Sequence, residues 1–284
     1  MITGMPRIAI ASADFPNLIS TFRDKLAMPV VDLSDKTVDS LGAALGMCTP
    51  AGGSNIELMS PADPETPLSQ SLQRFLDRRG QGHFALMLEA ADPDQEAEGL
   101  LERGLNVMPL MDGAGGRDVH PNSTHGVLVR VYPIDSFSGP NVDPAEGPQP
   151  TGLTGINRVI IAVKDLEAAA DTYGRKFALE ASQPVEDSAR GVSSVICTPP
   201  SGGIIELVTV DDPSKTFAAS IDSFIATKGE GMYALVLGTD DVQQTATALS
   251  ANGMKTANVP GLENTLQLDA EATFGARFFV SDRD

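Results

Sequence analysis

Short apolar stretches recur along this chain in a fixed succession. Residues 7–12 form a short apolar run that reads as a strand. From Asp14 to Leu26 the spacing changes to that of a helix, with Asp14 placed to cap its N-terminus. Strand signals follow near 30–34, 41–49 and 54–59. A second round begins with a strand at 83–88 and a helix at 93–103 ended by Gly104, then strands near 105–111, 117–120 and 126–132. The order strand–helix–strand–strand–strand thus occurs twice within the first 135 residues. It begins again later: residues 165–177 (DLEAAADTYGRKF) place apolar side chains at 166, 169, 170, 173 and 177, the stripe of a helix lying on a sheet.

The succession returns because the chain is internally duplicated. LGMCTPAGGSNIELM (45–59) aligns with SVICTPPSGGIIELV (194–208), matching Cys48 to Cys197 and Glu57 to Glu206 at an offset of 149. The same offset aligns SLQRFLDRRGQGHFALML (71–88) with SIDSFIATKGEGMYALVL (220–237) and THGVLVRV (124–131) with TFGARFFV (273–280). Near the start the offset is 151, matching RIAIASADF (7–15) to RVIIAVKDL (158–166) and Phe22 to Tyr173. Between the copies lies a Pro- and Gly-rich segment, 136–152, which suits neither a helix nor a central strand. The expected organisation is a domain over 1–135, a linker over 136–152 and a domain over 153–284.

Composition narrows the function. Hydrophobic residues make up 42% of the chain, enough for real cores, and no apolar run is long enough for a transmembrane helix. The first residues lack the charged and apolar regions of a secretory signal, so a cytoplasmic location is expected. The net charge of -18 opposes binding to a phosphate backbone, and with no Trp and 5% aromatics a stacking platform for single strands is not expected either. The expected partner is a small molecule, with neither nucleic acid nor membrane and with homodimerisation left open. Cys48 and Cys197 occupy one repeated strand position and are expected to be buried apolar residues rather than a reactive pair.

INRVIIAVKDLEAAADTY looks like the opening strand and helix of the vicinal-oxygen-chelate superfamily, which includes glyoxalase I, methylmalonyl-CoA epimerase, extradiol dioxygenases and the fosfomycin and bleomycin resistance proteins. GSNIELMSPADP and GGIIELVTVDDP resemble its fourth-strand segment, GQGHFAL and GEGMYAL the start of its second unit, and HPNSTHGVLVRV (120–131) the closing segment of the epimerases. The resemblance implies an α+β fold of four βαβββ units in two tandem glyoxalase-like domains, whose mostly antiparallel sheets curl into cups that hold a small ligand.

In catalytic relatives the cup usually binds one divalent metal through four strand positions. The resemblance assigns these to Arg7, Glu57, His83 and Arg130 in the first half, and to Arg158, Glu206, Met232 and Phe279 in the second. Arginine stays protonated and cannot ligate a metal, so no metal or other cofactor is expected. The function this implies is a metal-independent lyase, isomerase or epimerase moving a proton beside a carbonyl of an anionic substrate such as an acyl-CoA or aromatic acid. Glu57 and His83 are its candidate catalytic residues. Arg7, Arg130, Arg158, Glu206, His120 and His125 are candidate substrate contacts. In the alternative, a non-catalytic binding, resistance or regulatory protein, Arg7 and Glu57 merely pair in the space the metal left and His83 is a hydrogen-bonded core residue. An extradiol-type dioxygenase is the third reading.

Overall fold

The computed structural model describes residues 1–36, 41–111, 113, 115–137 and 142–282. In the first half the elements are β1 (Ile2–Ala11), α1 (Phe15–Ser20), β2 (Val30–Asp32), β3 (Ala43–Cys48), β4 (Asn55–Pro61), α2 (Pro67–Arg79), β5 (Gly82–Ala90), α3 (Pro93–Glu102), β6 (Arg117–Val119) and β7 (Leu128–Pro133). The second half gives β8 (Ile156–Ala162), α4 (Leu166–Ala170), β9 (Glu180–Ala181), β10 (Val185–Asp187), β11 (Val192–Thr198), β12 (Ile204–Val210), α5 (Thr216–Lys228), β13 (Gly231–Thr239), α6 (Val242–Ala251), β14 (Thr256–Asn258), β15 (Thr265–Leu268) and β16 (Phe278–Asp282). Helices α1 and α4 start on Asp14 and Asp165, whose carboxylates accept from backbone N–H groups of Asn17 and Ala168, and each continues as a π-helical turn, Thr21–Lys25 and Asp171–Lys176. No helix among the described residues is long and apolar enough to cross a membrane.

Each half folds its strands into one curled sheet, ordered β2-β3-β4-β1-β5-β7-β6 and β10-β11-β12-β8-β13-β16-β15-β14, with β9 beside β11. The two units of a half therefore join through β1 and β5, or β8 and β13, both antiparallel. This is the tandem glyoxalase-like architecture that the family resemblance implied. The predicted strand near 105–111 is reduced to one bridge, Val107 to Val119, since Pro109 can give no ladder hydrogen bond there. Of the 136–152 segment, residues 138–141 lie outside the described residues. Its far end is tied down, with Thr151 Oγ1 donating to the Leu26 carbonyl at 2.7 Å.

One face of each sheet, with α1, α3, α4 and α6, belongs to a large core that runs through both halves, where Phe22 meets Phe278 edge to face at 5.8 Å. The other face lines the cup, and here a helix absent from the sequence-based expectations matters. After β4 and β12 the chain turns into α2 and α5, which lay Leu68 and Leu72, or Phe217 and Ile221, into the cups. Thr66-Pro67 starts α2, Leu68, Leu72, Phe75 and Leu76 form its apolar stripe, and Gly80 at φ +75° ends it. Both cysteines are buried as expected, and burial pushes the Cys197 thiol up to about 11 and the Cys48 thiol further.

The halves meet about a pseudo-twofold axis. Gly126 packs on the Glu230 carbonyl, where a Cβ would come within 2.0 Å of the oxygen, and its repeat equivalent Gly275 packs on the Gln81 carbonyl at 2.8 Å. Both have positive φ, so two reasons favour glycine at once. Tyr173 donates to the Thr124 carbonyl at 3.2 Å, and Ser54 and Ile156 form an antiparallel bridge.

Candidate functional site

The first cup holds charges in pairs, although Glu57 Oε2 is buried without a hydrogen bond. Arg7 Nε lies 3.2 Å from Glu57 Oε2 and also 3.2 Å from Met87 Sδ, with its guanidinium 4.3 Å from the centre of the Tyr132 ring. Arg7 Nη1 donates to Ser136 at 3.1 Å. Arg130, 2% exposed, grips Asp118 through Nε at 2.5 Å and Nη2 at 2.7 Å, and its Nη1 reaches the Tyr132 hydroxyl at 3.3 Å. Burial works against this guanidinium, but the Asp118 hydrogen bonds and the Tyr132 contact prevail and hold its pKa above the usual value. Asp118 was not among the sequence candidates, and it converts Arg130 from a ligand-facing residue into half of a buried pair.

In the second cup Glu206 accepts from Arg158 at 3.0 Å and from Arg190 at 3.3 Å, and Arg190 is itself bonded to Asp187 at 2.7 Å. Arg190 was likewise overlooked, because its loop follows a strand the alternation did not delimit. The rest of this cup is apolar, with Tyr233 in edge contact with Phe217, Phe224 and Phe279.

The structure does not bring His83 to Arg7, Glu57 or Arg130. The β1–β5 register is irregular between Ala9 and Ile10, opposite Ala85 and His83. A bulge changes which side chains face the cup. Phe84 joins the cup cluster, while the His83 ring sits edge to face against Phe278 of the second half, 6.1 Å between centroids. The irregularity is repeated between Met232 and Ala234, so Tyr233, not Met232, faces the second cup. His120 and His125 are turn residues. His120 Nδ1 accepts from Asn122 N–H at 3.1 Å, and His125 Nδ1 lies 3.2 Å from Glu230 Oε1.

Open space lies instead between the halves. A cavity of about 580 Å³ opens on the pseudo-twofold axis, walled by the outer turns of α2 and α5 and by the entries of β5 and β13. Its lining is built from repeat equivalents: Ser71 with Ser220, Phe75 with Phe224, Phe84 with Tyr233, His83 with Met232. Arg74, Arg78, Arg79, Lys228 and Arg277 also line it, and among the described residues no Asp or Glu does. Within the wall, Tyr233 and Ser220 share a hydroxyl hydrogen bond of 2.6 Å, and the Arg277 guanidinium stands 4.1 Å from the Tyr233 ring centre. His83 Nδ1 lies 3.3 Å from the Met232 carbonyl, which assigns the proton to Nδ1 and leaves Nε2 a lone pair; Nε2 is buried with no hydrogen-bond partner. Burial pushes this imidazole down to about 4, so it is neutral at pH 7.

Residues 157–265 match the family described as the Glyoxalase/Bleomycin resistance protein/Dioxygenase superfamily. That match lies in the second half of the chain, where the sequence resembles the vicinal-oxygen-chelate superfamily. A triple mutant of 4-hydroxymandelate synthase from Streptomyces coelicolor shares its two-domain fold with TM-score 0.70 at 16% identity, over 100% of this chain and 93% of that one. A xylose isomerase-like TIM barrel/4-hydroxyphenylpyruvate dioxygenase fusion protein gives 0.62 at 14% identity over 99% of this chain, which spans 49% of that protein. A comparison with curated protein sequences gives no match.

Members of the vicinal-oxygen-chelate superfamily often place a divalent metal in the cup, so the donors here can be tested against one. The cup-facing residues at the four strand positions are Arg7, Glu57, Phe84 and Arg130 in one half and Arg158, Glu206, Tyr233 and Phe279 in the other. Each set offers one carboxylate, and that carboxylate faces a guanidinium. Among the described residues no group of three His, Cys, Asp or Glu could hold an ion. A catalytic divalent site needs about three protein ligands, and a fixed cation beside the only one repels the metal. The residues present do not fit it.

Proposed function

We propose that this protein works by binding a small organic ligand in the cavity between its halves, without a metal in either cup. One observation carries the reading. The cups are closed by α2 and α5 over paired charges, whereas the cavity on the pseudo-twofold axis offers about 580 Å³ with aromatic walls. A pocket of this size that combines apolar surface with a few polar groups suits a small molecule.

The test uses the neutral dye N-phenyl-1-naphthylamine. Ser71 and Ser223 lie on the cavity side of α2 and α5, so the double variant Ser71→Trp/Ser223→Trp fills the space from both walls. The dye should bind the wild type and lose at least about tenfold in affinity in the double variant, while Glu57→Gln in the first cup leaves binding unchanged. Binding that survives the two tryptophans but fails in Glu57→Gln would return the site to the cup.

A second reading, proton transfer beside a carbonyl, is favoured by His83. A neutral imidazole in the cavity wall is a candidate proton acceptor, provided that its buried Nε2 is uncovered when a substrate enters. The proton-moving role then falls to His83 alone, since Glu57 is engaged by Arg7 inside the first cup. With a substrate in hand, His83→Gln should abolish exchange of its acidic C–H with solvent deuterium and leave its binding intact.

A further inference from the structure

The charge on the cavity wall runs against the charge of the molecule. The chain carries 38 Asp and Glu against 20 Lys and Arg, yet among the described residues the lining contains five cations and no carboxylate. Among the described residues none of the five stands in an ion pair. Two have local duties. Lys228 Nζ donates to the Arg79 carbonyl at 2.6 Å, and Arg79 donates to the Glu230 carbonyl at 3.3 Å, so both serve the helix ends and the contact between halves.

Three remain. Arg74 and Arg78 lie one helical turn apart on the cavity side of α2, and their repeat equivalents on α5 are the neutral Ser223 and Thr227. Arg277 precedes β16 on the opposite wall, where the first half has Leu128, and its Nη1 is buried with no partner. A buried guanidinium nitrogen without an acceptor is costly, and a ligand oxygen is the group that would satisfy it. Unlike Arg79 and Lys228, which are repeat equivalents of each other, none of these three is shared by the repeat: at each of their positions the other copy is uncharged.

Resting on the cavity as the ligand site, we propose that the ligand is an organic anion. Its flat apolar body lies among Phe75, Phe84, Phe224 and Tyr233, and its carboxylate, sulfonate or phosphate meets Arg277 on one wall or Arg74 and Arg78 on the other. Guanidinium groups suit planar and tetrahedral oxyanions alike, and aromatic faces accept a flat ring.

The experiment compares two dyes with one body on the intact chain: 1-anilinonaphthalene-8-sulfonate and its uncharged relative N-phenyl-1-naphthylamine. The wild type should bind the sulfonate at least about tenfold more tightly, with the preference falling as salt rises. Arg277→Gln should remove most of that preference while leaving the neutral dye within about twofold, and Arg277→Lys should restore part of it. Arg74→Gln/Arg78→Gln, exposed on α2, gives the same comparison where folding is not at stake. Equal affinity for the two dyes, or variants that weaken both alike, would overturn the anion assignment and leave the cavity standing. Sulfonate binding undiminished in Ser71→Trp/Ser223→Trp would overturn the cavity and the assignment with it. Displacement of the sulfonate by 2-naphthoate or 1-naphthyl phosphate supports the class, and the tighter competitor names the oxyanion.

Discussion

Replacing Arg130 by methionine should destabilise the protein by about 3–5 kcal/mol, because it leaves the Asp118 carboxylate buried without its partner. Asp118 and Arg130 are 8% and 2% exposed, so water cannot take over the lost contacts. Adding Asp118→Leu should recover most of the loss, since exchanging both charges for apolar groups of similar volume is often neutral or better. Arg158→Gln in the second cup should cost much less. Arg158 is 26% exposed, and Glu206 keeps Arg190. Urea unfolding of the four proteins checks this, read as the midpoint at constant slope. An Arg130→Met protein as stable as the wild type would mean that the cup network is not structural, and Arg130 would again be free to serve a ligand. The experiment therefore bears on function as well as stability.

The network was legible in the sequence only in part. The repeat and the succession of elements follow from periodicity and a constant offset, whereas the pairing of Arg7 with Glu57 entered as the alternative to the roles that the family resemblance implied. Asp118 lies 12 residues before Arg130, and only the antiparallel β6–β7 pairing that places the two opposite each other makes them partners. Helix α2 carried a usable signal, since Thr66-Pro67, a Leu68/Leu72/Phe75/Leu76 stripe and Gly80 mark its start, face and end. It escapes notice when 71–88 is read as one aligned block. The facing of His83 was not legible at all. A bulge shifts the alternation by one residue, and nothing in GQGHFAL announces it. The cavity cations were the hardest, because Arg74 and Arg277 come to line one cavity only through the packing of one half on the other.

His83 should make stability pH-dependent in a window set by its burial. The unfolded imidazole titrates near 6.5 and the folded one near 4. Above pH 6.5 it is neutral in both states and contributes nothing. As pH falls below 6.5 the unfolded chain takes up the proton first, so the folded state loses stability progressively until pH 4, where both forms are charged and the loss levels off. The span corresponds to about 3 kcal/mol at most. Carboxylates titrate at the low end of the same range, so the quantity to measure is the difference in unfolding free energy between wild type and His83→Gln from pH 7 to pH 4. Wild type should fall relative to the variant, with most of the change between pH 6 and pH 4. With only three histidines in the chain, imidazole NMR gives the microscopic answer. His83 should keep a neutral ring at pH 5.5 with the proton on Nδ1, as its contact with the Met232 carbonyl requires. A His83 that titrates near 6.5 would remove the proton-acceptor reading, because the imidazole would then be solvated rather than held in the wall. Saturating the cavity with 1-anilinonaphthalene-8-sulfonate should move the His83 pKa upward. An anion beside Arg277 offsets the positive charge that disfavours protonation of its neighbour, and a neutral dye in the same place does not.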